Sequence, residues 1–186
     1  IYKYVTNRRI ISEFSLSAEN EDEKTSSSSP YFNRTCLLPF GQFLIAVNGK
    51  TDEIVVFDAN TEEMTMTVPK IDNFKISCIA HPATHLNKIV AGSKDNFRLR
   101  LINVKTGKDI YEFQCQKKFF EEQLKKEPEN QSKQISITSI VQTPAKSVIS
   151  VSYSSGDIHF INIEYDEILY HFSHDYPVLN QTFRSD

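Results

Sequence analysis

An apolar run closed by Asp or Asn, with another apolar residue ten positions further on, recurs three times in this chain. VVFD ends at Asp58 and is answered by Val68; RLIN ends at Asn103 and is answered by Phe113; HFIN ends at Asn162 and is answered by Phe172. An Asx residue at the head of a polar turn bonds the turn's own amides, so each match reads as a hairpin between two short strands. Asp58 and Asn103 lie 45 residues apart and Asn103 and Asn162 lie 59 apart, the longer interval holding a polar insertion. Four short strands in about 40–45 residues is the size of one β-propeller blade. Asp58, Asn103 and Asn162 are therefore structural blade motifs. The expected fold is all-β: a WD40-type β-propeller, incomplete, with about three full blades and partial blades at both ends.

The stretch from Ile76 to Phe113 shows the unit most fully. Strands are expected at 76–81, 88–93, 98–103 and 109–113, separated by Pro-Ala-Thr-His, Lys-Asp-Asn and Lys-Thr-Gly-Lys turns. Asp95 stands where WD blades keep an Asp that satisfies turn amides, again a structural role; Thr51 and Ser155 hold that place in the neighbouring blades. Laid along the chain, the pattern makes 1–14 the end of a blade and 34–68, 74–113 and 135–173 the full blades. Residues 177–186, with a strand at 178–184, open the next. The innermost strands are expected at 35–38, 76–81 and 137–142. Apolar residues run consecutively through them, as they do in sheets covered on both faces. No Trp occurs, and Phe57, Ile102 and Ile161 stand where the usual Trp of such a blade would be. The chain begins mid-pattern at Ile1 and stops just after a strand, so it reads as a piece of something longer. Its open flanks are expected to show Phe160, Ile161 and Tyr170 to water.

Two segments interrupt the pattern, both between the last strand of one blade and the first of the next, which puts them on the same face. Residues 15–33 are acidic and serine-rich (Glu19, Glu21, Asp22, Glu23 and the serines at 26–29) and cannot bury enough apolar surface to order themselves. This is expected to be a disordered loop, and Ser29-Pro30 within it an unmodified solvated site. The insertion 115–134 has Phe119, Phe120 and Leu124 followed by Lys125 and Lys126, the spacing of one amphipathic helix of two or three turns ending near Pro128. Its charges nearly cancel, which suits a helix lying on its own propeller or on a partner.

Chemistry is sparse. There is no Gly-rich phosphate loop, G-x-S-x-G, H-E-x-x-H or CxxC. His81, ahead of Pro82, suits a turn cap, and His159 in a third strand suits a hydrogen-bonded strand histidine better than a metal ligand. Arg98 and Arg100 alternate on one face of a strand and read as an inter-blade or rim salt bridge before a phosphate site. Cys36, Cys78 and Cys115 are too few for a disulfide framework or a zinc site. Cys36 and Cys78 are taken as buried thiols at equivalent first-strand positions, in a reducing compartment. Asn33-Arg34-Thr35 and Asn180-Gln181-Thr182 match glycosylation sequons, without meaning inside a cell. The net charge of −3 argues against a broad polyanion-binding surface, and no apolar run approaches a membrane span. These residues hold no catalytic, cofactor-binding or metal site, and the chain reads as no enzyme.

The wording of several stretches is more particular than the period. LLPFGQFLIAV, KISCIAHPATHLNKIVAGS and LINVKTGKDIYEF, then ITSIVQTPAKSVISV, GDIHFINI, DEILYHF and DYPVLNQTFRSD, closely resemble the U3 small-nucleolar-RNA-associated WD-repeat family of the small-subunit processome, known in vertebrates as the WD-repeat protein thirty-six family. His81-Pro82, Leu86-Asn87-Lys88 and Phe183-Arg184 are the most particular words. The two insertions and the missing Trp depart from it. The resemblance implies the N-terminal part of a tandem double propeller and a non-enzymatic scaffold in the nucleus and nucleolus. It further implies WD-repeat processome subunits as partners, with U3 snoRNP and pre-rRNA reached indirectly in 18S rRNA maturation, no small-molecule substrate, no cofactor and no membrane. Composition and spacing alone support a propeller-type interaction module. A generic WD40 adaptor in another intracellular complex, or an enzyme whose active site lies outside this stretch, stays open on those grounds.

Overall fold

The computed structural model of the chain describes residues 2–5, 10–13, 32–37, 43–61, 63–126 and 134–184. Strands β1 (Tyr2–Val5) and β2 (Ile10–Glu13) form an antiparallel hairpin, blade one. Blade two is β3 (Phe32–Leu37), β4 (Phe43–Asn48), β5 (Ile54–Asp58) and β6 (Met64–Val68). Blade three is β7 (Ile76–Ala80), β8 (Lys88–Ser93), β9 (Leu99–Asn103) and β10 (Lys108–Glu112). After helix α1 (Cys115–Lys126) comes blade four: β11 (Ile137–Gln142), β12 (Val148–Tyr153), β13 (Asp157–Asn162) and β14 (Glu167–Ser173). Each four-stranded sheet is antiparallel with its strands in chain order. The innermost strand β7 runs beside β3 on one side and β11 on the other. That is the radial stacking of propeller blades.

The ten-residue offset is a register. Val68 pairs with Ile54, Phe172 pairs with Ile158, and the Phe113 amide donates to the Leu99 carbonyl at 3.0 Å. In every blade that partner lies four positions before the Asx residue.

Face-to-face packing of the blades explains the consecutive apolar residues. Ile45 and Val47 of β4 join Ile89, Ala91 and Ile102 of blade three in one core cluster, while Leu44 and Ala46 face the other way with Val55 and Phe57. Val90, Leu99 and Leu101 turn to blade four and meet Ile149, Val151 and Ile161. The Trp-replacing residues Phe57, Ile102 and Ile161 are all buried.

Several details depart from the sequence expectations. Strand β3 starts at Phe32, inside the stretch assigned to loop 15–33 and ahead of the blade boundary at 34, because its ladder extends to a Phe32–Asn48 pair. Residues 14–31, with Ser29-Pro30, lie outside the described residues. The strand expected at 178–184 is absent: 174–184 make no ladder. This tail instead crosses blade four. Thr138 of β11 donates to the Val178 carbonyl, Ser150 of β12 to Gln181 Oε1, and Phe183 meets Phe160 of β13 edge-on at 5.9 Å. A strand needs a neighbour's amides and carbonyls, and the tail instead bonds one strand after another through the side chains of Thr138 and Ser150. Ile161 does not face an open flank but is buried against blade three. Strand alternation puts its neighbour Phe160 on the outer face with Phe172, while Tyr170 is 66% exposed. Nor are Cys36 and Cys78 equivalent. Cys36 pairs with Ile45 and Cys78 with Gly92, two ladder steps apart once the blades are aligned on Asp58 and Asn103.

Candidate interaction surface

The same turn is built three times on one end of the sheets. Asp58 Oδ1 accepts the amides of Asn60 (2.7 Å) and Thr61 (3.3 Å). Asn103 Oδ1 accepts those of Lys105 (2.9 Å) and Thr106 (3.1 Å), and Asn162 Oδ1 those of Glu164 (3.0 Å) and Tyr165 (3.3 Å). The turn closes in blade three through Gly107 (φ 68°) and in blade four through Asp166 (φ 53°), the left-handed conformation that Gly takes freely and Asp tolerates. Asp95 does not play this part. Its carboxylate pairs with Lys75 Nζ at 3.1 Å, and the turn amides go to Ser93 Oγ (from Asp95, 3.2 Å) and Asn96 Oδ1 (from Arg98, 3.0 Å). Ser93, already at the strand end, reaches the amide two residues on, so the Asp is released outward.

Asp166 spends its strained conformation on the seam between blades three and four. Its Oδ2 accepts the Gln114 amide (2.8 Å) and the Tyr111 hydroxyl (2.7 Å), and its Oδ1 the Cys115 amide (3.2 Å). These amides open α1, which carries no acidic residue in its own first turn, so Asp166 caps the helix from the next blade. Burial pushes the Asp166 carboxyl up, but the Gln114, Cys115 and Tyr111 donors outweigh it and hold the carboxyl below its usual range. Burial and the neighbouring Asp166 push the Cys115 thiol far up, leaving it inert. Asp166→Ala is expected to cost about 1–2 kcal/mol, the loss of a cap and of a hydroxyl partner. Chemical denaturation of the variant measures it; an unchanged midpoint would show Asp166 idle.

Beyond its cap, α1 lies on its own propeller. Phe120 is fully buried between Phe97 (5.0 Å, stacked) and Tyr153 (4.8 Å, edge-on), and Phe119 meets His159 at 4.4 Å and His171 at 4.7 Å. The exposed face of α1 carries Lys117, Lys118, Glu121, Glu122, Lys125 and Lys126, four positive charges against two negative. His159 is fully buried under these rings and, contrary to the sequence expectation, neither ring nitrogen has a hydrogen-bond partner among the described residues. Burial, with His171 adding to it, lowers its pKa to about 3, so the ring is neutral. The hydrogen-bonded histidine is its neighbour. His171 Nε2 meets Asp157 Oδ1 at 2.8 Å, and Ser155 donates to the other Asp157 oxygen.

Arg98 and Arg100 form their ion pairs within blade three rather than between blades. Glu112 of β10 takes two nitrogens of Arg98 (2.8 and 2.6 Å) and one of Arg100 (2.7 Å), and Arg100 also pairs with Asp109. The two guanidinium groups cover the Phe74 ring at 5.8 and 5.3 Å. Glu112 holds the Arg98 guanidinium above its usual range, and Arg98 holds the Glu112 carboxyl below. Committed this way, neither arginine is left for a phosphate. His81 Nε2 donates to the His85 carbonyl at 2.6 Å, a contact inside the bend that follows β7. Among the described residues no group of three or more His, Cys, Asp or Glu is placed to hold a metal ion, and no helix is long and apolar enough to cross a membrane.

On the turn-bearing end a cleft of about 400 Å³ lies between blades two and three, lined by Phe43, Val56, Met66 and Val104, with Asp58 and Lys105 at its lips. Sequence reasoning singled out Asp58 here but missed the cleft, as it missed Asp166 and Tyr111. A signal was present. Aligning Lys105-Thr106-Gly107 on Glu164-Tyr165-Asp166 shows the turn reversing its charge from one blade to the next.

The comparisons with known proteins agree with this geometry. Residues 3–186 match the family model described as the WDR36/Utp21 first beta-propeller. The human WD repeat-containing protein 36 is 34% identical over 154 residues, covering 81% of this chain and 15% of that protein. The U3 small nucleolar RNA-associated protein 21 homolog of Schizosaccharomyces pombe is 32% identical over 155 residues, covering 82% of this chain and 15% of that protein. The chain thus spans about a seventh of the length of these relatives. With blades, Asx turns and match all in one register, the chain belongs to the WDR36/Utp21 first β-propeller family.

Proposed function

We propose that this chain is a non-catalytic WD-repeat scaffold of the small-subunit processome, acting with the U3 snoRNP in 18S rRNA maturation and ribosome biogenesis. The family match along residues 3–186 carries the reading, together with a relative named for its association with U3 small nucleolar RNA. The geometry supports binding over chemistry. The carboxylates and arginines described above are spent on turns, a helix cap and a ladder of ion pairs, and His159 is sealed under aromatic rings. Its partners are other WD-repeat subunits, and it works in the nucleolus. RNA is reached through those partners, in keeping with a net charge of −3.

The test is native purification of the tagged full-length protein from cells, with the co-purifying RNA quantified. U3 is expected to be enriched over an unrelated small nucleolar RNA, and depletion of the protein to raise unprocessed 18S precursors. No U3 above the untagged control, with precursors unchanged on depletion, would replace this reading by a WD40 adaptor in a different complex.

A further inference from the structure

The two inter-blade seams use equivalent residues differently. Met66 and Tyr111 hold the same place in their blades: Met66 pairs with Val56 and Tyr111 with Leu101, each two positions before the Asx residue. Gly107 and Asp166 likewise close equivalent turns. Between blades three and four the Tyr111 ring lies edge-on to Phe113 at 5.4 Å, and its hydroxyl bonds Asp166. Between blades two and three the thioether of Met66 meets the bare backbone of Gly107; a Cβ there would lie 3.7 Å from Met66 Sδ. No phenol ring fills this seam, and the cleft of about 400 Å³ remains.

We propose that this cleft docks a protein partner by taking one inserted tyrosine-type side chain flanked by carboxylates. The next seam offers the pairing to copy: there Tyr111, 43% exposed, lays its ring edge-on to Phe113 and its hydroxyl on the Asp166 carboxylate. The polarity of the turn says where the carboxylate comes from. Blade four brings Glu164 and Asp166 to its seam, whereas blade three brings Lys105 and Gly107, so an acidic group belongs to the incoming segment. Lys105 is exposed and in none of the ion pairs among the described residues. On the opposite lip Asp58 Oδ1 is turned to the amides of its own loop. The volume falls in the range of about 300–1,000 Å³ typical of ligand pockets, and aromatic anchors in apolar pockets dominate protein interfaces. This rests on reading the chain as an interaction module. Its test reads peptide binding rather than U3 association, so the two can fail separately.

The experiment measures fluorescence anisotropy of a labelled hexapeptide GSDYDG, its alanine counterpart GSDADG and the basic GSKYKG against the full-length protein. GSDYDG is expected to bind, with GSDADG weaker by about tenfold or more. Met66→Tyr, which supplies in blade two the ring that Tyr111 supplies in blade three, is expected to remove the difference while leaving cooperative unfolding intact. Lys105→Glu, at an exposed site, is expected to weaken GSDYDG and favour GSKYKG. The proposal is overturned if GSDYDG and GSDADG bind alike, if neither binds, or if both variants behave as wild type. It is also overturned if Met66→Tyr lowers the mass measured by light scattering, because the occupant is then a second copy of the chain.

Discussion

The protein is expected to lose roughly 5 kcal/mol of stability between pH 6.5 and pH 3 through His159 alone, at about 1.4 kcal/mol per pH unit. The ring is fully buried, its pKa is lowered to about 3, and its unfolded counterpart titrates near 6.5. Over that window the unfolded chain binds a proton that the folded chain refuses. The stability is therefore complete above pH 6.5 and is lost as pH falls. Every element packed on the ring makes protonation harder or leaves it unhelped. Helix α1 offers Phe119 and Phe120, β12 offers Tyr153, and β14 offers His171 at 5.1 Å; Asp157 of β13 attracts the charge but is already engaged by Ser155 and His171. His159→Phe removes the titration and the two unpartnered nitrogens, so it is expected to match or exceed wild type at pH 7 and to outlast it increasingly below pH 6. Asp157, Asp166 and Glu112, each held below its usual range, add acid sensitivity common to both proteins. The difference between the two denaturation curves is thus the quantity to measure. Curves that fall in parallel from pH 6.5 to 3 would show that His159 is not sealed.

Phe120→Ala is expected to cost about 3–5 kcal/mol and to release the helix. Phe120 touches Phe97, Phe119, Tyr153 and His159, so its removal opens a space that four other rings line. A 12-residue helix is marginal in water on its own. With its fully buried anchor gone, α1 keeps the Phe119 contacts with His159 and His171, the Asp166 cap at one end and Lys125 and Lys126 on the dipole at the other. Hydrogen exchange is the measurement: amides of α1 are expected to lose protection while those of β8 and β12 keep it. Water reaching His159 should also flatten its acid response, so Phe120→Ala and His159→Phe are expected to be non-additive below pH 6. A helix that stays protected in Phe120→Ala would mean that the cap, not the ring, holds it down.

Much of the fold is legible in local chemistry. An Asx oxygen that reaches two turn amides is a contact across two or three residues, so Asp58, Asn103 and Asn162 announce their hairpins without help from the rest of the chain. The ten-residue offset follows, because a fixed turn sets the register of the strands it joins. Phe119 and Phe120 likewise announce a helix, since a 3.6-residue period needs no partner to be visible. Those features the sequence by itself determined.

What a face meets was decided only by tertiary structure. Phe160 and Ile161 are neighbours in a strand and differ by a single step of alternation, yet one lies on the outer face and the other is sealed against blade three. Residues 178–184 have a strand's composition but join no ladder, and they cross blade four instead. His159 became a buried neutral base because a helix more than thirty residues earlier lies over it. Tyr111 and Asp166 are 55 residues apart and meet only once two sheets stack, and the corresponding Met66 and Gly107 leave a cleft by the same stacking. The physical reason is range: turn and helix signals act over a few residues, whereas a seam is the sum of two surfaces whose registers are set independently.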